Sequence, residues 1–267
     1  MNIPFQVRQE AERLPYPIEE GPNGGILFTV TYSGQQHKFT PEQIAAMLFT
    51  KLRDTAEAAL GTKCKDVVIS VPCYYADCER RALLDAAAMA GLNVLKLMND
   101  TTATALAYGI YKQDLPATEE KARNVIFVDA GHRGVQAAAC SFNKGKLVMQ
   151  ACSFDADSGG RSFSEALVRH ISADFKERYR IDVASSPKAT LKLLSEVDKL
   201  KKQMSANTNK LPLSIECFMD DKDVTTKVSR EEFEGLVGPE LERIEKVLVD
   251  CLAASKWKPV RKSYFLV

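Results

Sequence analysis

Two short stretches, residues 91–109 and 124–134, constrain this chain more than anything else in it. The first reads as a strand over 93–98, the polar turn Asn99-Asp100, and a helix of Thr, Ala, Leu and Tyr residues small enough to lie close against a sheet. The second is a continuous apolar run over 125–128 that ends at Asp129 and turns through Ala130, Gly131, His132, Arg133 and Gly134. An uninterrupted apolar run of this kind reads as a buried strand. Asp100 then stands at a helix start and Asp129 at the mouth of a buried strand. Open α/β sheets bind their ligands at such element ends.

The remaining sequence bounds the reading. Its 267 residues, 45% hydrophobic, suffice for one large domain or two lobes with sizeable cores. Lys and Arg total 36 against 35 Asp and Glu, which leaves no basic excess for a nucleic-acid partner. The seven cysteines form no CxxC pair or zinc-spaced cluster, which fits a reduced setting. No apolar run approaches the roughly 20 residues of a bilayer span, and residues 1–10 lack the apolar core of a signal peptide. The expectation is a soluble protein of the cytoplasm or the nucleus.

Local chemistry places the other elements. Residues 25–39 alternate around Ser33-Gly34 as a hairpin. Thr40, Pro41 and Gln43 form a helix start, and Ile44, Met47, Leu48, Leu52, Ala56, Ala59 and Leu60 trace one face of that helix up to Gly61. A strand at 67–71 closed by Pro72, a helix from Asp77 and the strand at 93–98 make a crossover unit. Residues 112–123 read as a surface linker, followed by a meander over 125–128, 135–142 and 146–154. Helices over 163–179 and 187–204, a hairpin over 211–228, and a long helix opened by the Ser229-Glu232 capping box and bent at Gly238-Pro239 complete the pattern. The division expected is 1–118 for part of a first lobe, 119–254 for part of a second, and 255–267 for a divergent tail.

Several residues carry candidate chemistry. The two-glycine turn after Asp129 can aim backbone N–H groups at an anion, and the carboxylate beside it can hold magnesium through water. The same spacing also describes an ordinary hairpin with a surface aspartate, and one glycine pair does not decide between them. Asp155, Asp157, Ser158, Gly159 and Gly160 lead into a helix and make a second candidate phosphate cradle, or simply a loop before a helix. Asp198, Lys201, Lys202 and Ser205 form one polar stripe, commonly a solvated face. His37, His132 and His170 read as surface or structural residues, and no nucleophile stands near a base.

Residues 71–81, 91–109 and 124–131 are similar to three signature segments of the nucleotide-binding domain of the seventy-kilodalton heat-shock chaperones. Residues 20–25, 108–116, 142–146 and 217–224 resemble the larger, one-hundred-and-ten-kilodalton branch of nucleotide exchange factors, and the likeness runs from about Phe5 to Leu252. That resemblance implies an actin-like, ribonuclease H-like ATPase fold of two lobes around a nucleotide cleft. It also implies ATP or ADP and magnesium as ligands, and a seventy-kilodalton heat-shock chaperone as partner in protein folding and the stress response. Asp129 matches the aspartate near magnesium, and Asp100 the carboxylate facing it from the first lobe. Gly131 and His132 match the second phosphate loop, Gly159 and Gly160 the loop near sugar and phosphates, and Asp198, Lys201, Lys202 and Ser205 the surroundings of the adenosine. Pro72 and Arg80 match a proline and an arginine implicated in relaying nucleotide state between lobes.

The departures are local. Asp100 and Thr101 replace a glutamate and a proline, and Asp198 stands where a glutamate is usual. His132 and Arg133 replace glycines, while Gly134 and Gln136 stand where a threonine and an aspartate of the catalytic site are expected. His132 fits the larger branch; Arg133-Gly134 is particular to this chain, and the cation either pairs with a phosphate or fills its space. Set against the family, the sequence begins after the first phosphate loop and its lysine and ends before the glycine-rich adenosine segment and the peptide-binding region. This predicts a truncated module with exposed sheet edges and hydrolysis no faster than background. A weak ATPase and a non-catalytic fragment that only binds partners are the alternatives.

Overall fold

The computed structural model describes Val7, Ala11, Leu14, residues 16–21 and 24–257, and the backbone of 264–266. The expected tail falls partly outside these residues, at 258–263 and 267. The chain divides into two compact units, Met1–Asp100 and Thr101–Val267.

In the first unit, β1 (Ile18–Glu20), β2 (Ile26–Tyr32) and β3 (Gln35–Phe39) form an antiparallel sheet in that order. Ser33 and Gly34, with φ of 50° and 77°, make the tight turn between β2 and β3. Helix α1 (Pro41–Leu60) starts on the predicted box: the Thr40 hydroxyl accepts from the Gln43 amide at 3.3 Å, and the Gln43 side chain accepts from the Thr40 amide at 2.9 Å. Gly61, at φ 66°, ends it. Strands β4 (Asp66–Val71) and β5 (Asn93–Asn99) pair in parallel, joined through α2 (Asp77–Met89) as the crossover reading expects.

The buried face of α1 differs from the predicted one. Ile44, Met47, Leu48, Leu52 and Leu60 are 40–66% exposed, Ala59 is exposed, and Ala56 is half-buried. The helix packs on α2 through the opposite side, with Ala46 buried and Phe49, Thr50 and Arg53 half-buried. Ala86, Ala87 and Ala90 are buried on α2 or at its end. Arg53 then donates to the Ala90 carbonyl at 2.6 Å.

The second unit is built on a meander of β6 (Arg123–Ala130), β7 (Val135–Asn143) and β8 (Lys146–Asp155). Every residue of β7 up to Phe142 is buried, because both faces of the strand are covered. Ala105 of α3 (Asp100–Tyr111) packs with Phe127, Ala138, Cys140 and Phe142 on one side; Gly109 allows this approach, since a Cβ there would lie 3.2 Å from the Phe142 ring. These contacts place α3 with the second unit, ahead of the linker at which the sequence reading set the boundary. On the other face Ile126, Val128, Val135, Ala137 and Ala139 pack with Val247 and Cys251 of the last helix.

A separate core joins α4 (Gly160–Tyr179), a 3-10 turn (Val183–Ser185), α5 (Pro187–Met204) and the hairpin of β9 (Leu211–Met219) with β10 (Lys222–Val228). The Ser229 capping box opens α6 (Arg230–Leu236). The Gly238-Pro239 pair yields two helices rather than one bent one, α7 (Gly238–Ser255) starting anew after Val237. Last, β11 (Tyr264–Leu266) pairs in parallel with β6, giving the order β11-β6-β7-β8. Among the described residues no helix is long and apolar enough to cross a membrane.

Candidate functional site

Asp129 stands one residue before the end of β6, and its register partner across the ladder is Gln136. Gln136 is buried, and its amide donates to one Asp129 carboxylate oxygen at 3.0 Å. The chain then turns tightly, the Gly131 amide donating to the Gly134 carbonyl at 3.0 Å. Strand β8 ends nearby at Asp155 and runs through 156–159 into α4. Here the two candidate cradles meet. The Gly160 amide donates to the Gly131 carbonyl at 3.0 Å, and the Arg161 amide to the His132 carbonyl at 2.7 Å.

This contact explains Gly159. Its backbone is extended, at φ −178°, a conformation open to any residue. A Cβ at that position, however, would lie 2.7 Å from the Gly131 carbonyl oxygen and 2.8 Å from that of His132. The glycine is required by close approach, not by dihedral freedom. The two α4 amides that a phosphate would use are engaged by the turn's own carbonyls.

Helix α5 adds Lys201, whose ammonium donates to the Gly160 carbonyl at 2.9 Å and the Ser164 hydroxyl at 2.8 Å and pairs with Asp198 at 3.1 Å. Three partners match its three donors. Lys202 holds the other Asp198 oxygen at 2.7 Å, and the hydrogen bonds from Lys202 and then Lys201 keep the Asp198 carboxyl below its ordinary range. One member of the polar stripe therefore turns inward while the others stay at the surface. Ser205 is exposed at the end of α5, its amide donating to the Lys202 carbonyl.

Beside this corner stands one group that sequence reasoning missed. Arg243 of α7 grips the Asp155 carboxylate with two bonds of 2.8 and 2.6 Å. Burial alone would raise the Asp155 carboxyl, but Arg243 and the Asp157 amide outweigh it and hold it below the usual range. Ser158 is fully buried, and its hydroxyl donates to the Glu240 carbonyl at 3.4 Å. Arg133 lies 3.8 Å from Asp157. Asp155 and Asp157 were visible as part of the loop motif; nothing in the sequence marks Arg243, 88 residues beyond Asp155, as the partner of Asp155.

In the first unit, the Arg80 guanidinium donates to the Tyr75 carbonyl at 2.9 Å, the Asn99 side chain at 2.8 Å and the Pro72 carbonyl at 3.4 Å. The two relay candidates are thus joined, and they tie the end of β4 to the end of β5, one residue before half-buried Asp100. Thr101 next to it is 2% exposed, and its hydroxyl has no hydrogen-bond partner.

The donor set fits a magnesium-bound phosphate in part. Half-buried Asp129 offers hard oxygen at the mouth of β6, and among the described residues no group of three metal-ligating side chains exists, so magnesium there would keep waters and phosphate oxygens as its other ligands. His132 and Arg133 present exposed nitrogen groups on the same turn. The Gly160 and Arg161 amides do not contribute, for the reason given.

A model of the Hsp70 protein family matches residues 4–261. The 97 kDa heat shock protein of Strongylocentrotus purpuratus is 51% identical over 253 residues, 95% of this chain and 28% of that protein. Heat shock 70 kDa protein 4 of Homo sapiens is 50% identical over 255 residues, 96% of this chain and 30% of that protein. Heat shock 70 kDa protein 4L of Homo sapiens is 50% identical over 242 residues, 91% of this chain and 29% of that protein. The chain spans less than a third of the length of these relatives.

Proposed function

Since the chain belongs to the Hsp70 protein family, we propose that it is a nucleotide-binding module of the one-hundred-and-ten-kilodalton branch, taking ATP or ADP with magnesium and serving as a nucleotide exchange factor for a seventy-kilodalton chaperone. Domains of this family bind ATP or ADP with magnesium, and the nucleotide supplies the anionic phosphates that the corner lacks. The observation that carries the reading is the convergence, in the second unit, of Asp129, the 131–134 turn, the Gly159-Gly160 loop and Lys201.

In this reading Asp129, oriented by Gln136, holds the hydrated metal, and Lys201 fixes the loop beside the phosphates by its bond to the Gly160 carbonyl. Gln136 is a neutral amide already bonded to Asp129, so it cannot take a proton from an attacking water, and binding rather than hydrolysis is the role proposed. A partner-binding role without nucleotide draws on a different observation, the engagement of the Gly160 and Arg161 amides by the turn.

Two measurements address the two halves. ADP release from a purified seventy-kilodalton chaperone, followed with a fluorescent nucleotide, is expected to accelerate on adding this chain, and calorimetry of the chain alone to show magnesium-dependent ADP binding that Asp129→Asn weakens. No acceleration removes the exchange role; no nucleotide binding leaves the partner-only reading.

A further inference from the structure

The geometry points to Arg133 as the residue that reads the phosphates of a nucleotide at the Asp129 corner, with Asp157 as its partner when no phosphate is present. The inference rests on the nucleotide reading of that corner. Sequence alone left open whether this cation pairs with an anion or occupies the anion's space. Its side chain is 56% exposed, so it lies outside the corner instead of filling it.

The backbone under Arg133 is pinned on both sides. Gly131 is bonded to Gly134 through its amide, and the Gly131 and His132 carbonyls accept from the first amides of α4. The turn therefore presents the guanidinium from a fixed position, with the side chain as the part free to move. Its contact with Asp157 is a single 3.8 Å approach between side chains 56% and 69% exposed, a pair that contributes little and is readily exchanged.

The neighbouring cations are otherwise engaged. Lys201 has three partners, Lys202 holds Asp198 at 2.7 Å, Arg243 holds Asp155 with two short bonds, and Arg161 is partly buried with Glu165 at 3.7 Å. Asp129 and Asp157 would otherwise leave a phosphate facing carboxylates. A guanidinium matches phosphate oxygens two at a time, better than it matches one distant carboxylate oxygen. Asp157 then acts as an internal competitor, which phosphate displaces.

The test measures equilibrium binding of magnesium ADP and of adenosine, by calorimetry, to the wild-type chain, Arg133→Ala and Asp157→Asn. Arg133→Ala is expected to weaken ADP about tenfold while leaving adenosine within about twofold. Asp157→Asn, which frees the guanidinium, is expected to tighten ADP by about two- to threefold. Unchanged ADP affinity in Arg133→Ala overturns the inference and leaves the nucleotide site standing. Equal losses for ADP and adenosine also overturn it, because the variant has then disturbed the turn. A wild-type chain that binds neither ligand takes down the nucleotide reading and this inference together.

Discussion

Adjacent glycines at the start of α4 have unequal duties. Gly159 meets the 131–132 carbonyls so closely that an added methyl would push the turn off α4, breaking the Gly160 and Arg161 hydrogen bonds. At Gly160 the nearest atom to an added Cβ is the Lys201 ammonium, 3.6 Å away, an ordinary contact. Gly159→Ala is therefore expected to cost about 1–3 kcal/mol and Gly160→Ala to stay within about 0.5 kcal/mol, compared by urea unfolding. Equal costs would mean that the turn and the helix are not joined as described. The doublet itself was legible in the sequence, as was Asp129 at a strand end. Its use was not: a Gly-Gly before a helix looks the same whether its amides face a ligand or another loop's carbonyls.

At the scale of elements, what was legible is what neighbours along the chain decide. The Thr40-Gln43 and Ser229-Glu232 boxes, the Ser33-Gly34 turn and the Gly61 stop all rest on residues close together in the chain, and each is present. Helix α1 shows where such reading ends. Its large apolar residues mark one face, yet the face that packs carries Ala46, Phe49, Thr50 and Arg53. The partner is a separate helix beyond β4, which nothing within α1 announces. Ala46→Leu is thus expected to cost about 1–3 kcal/mol by overpacking, whereas Leu48→Ala and Leu52→Ala, at 57% and 55% exposure, should each cost under about 1 kcal/mol. Thermal unfolding of the three variants checks the ranking, and a larger loss from either leucine would restore the face predicted from sequence.

For the whole molecule, the contrast lies in how each unit is filled. The second unit has three buried clusters that include Phe142, Phe175, Leu167, Ile171, Leu193 and Leu200, nearly all without exposure, and its strand β7 is covered on both faces. In the first unit the buried apolar residues are Ala46, Val71, Ala86, Ala87 and Ala90 among those described, while Val68, Leu95, Met89, Leu48 and Leu52 are more than half exposed. A large side chain buried from water contributes about 1.5–3 kcal/mol and an alanine far less, so the first unit holds its parallel pair and its helices with little apolar burial. Local opening follows that distribution, since amides exchange through the least protected structure available to them. Hydrogen exchange read by mass spectrometry is expected to show β4, β5 and α1 exchanging well ahead of β7 and α5, and Val71→Ala should widen the gap by speeding β4 and β5 alone. Protection of β4 and β5 equal to that of β7 would mean that the first unit draws its stability from something other than the burial described here.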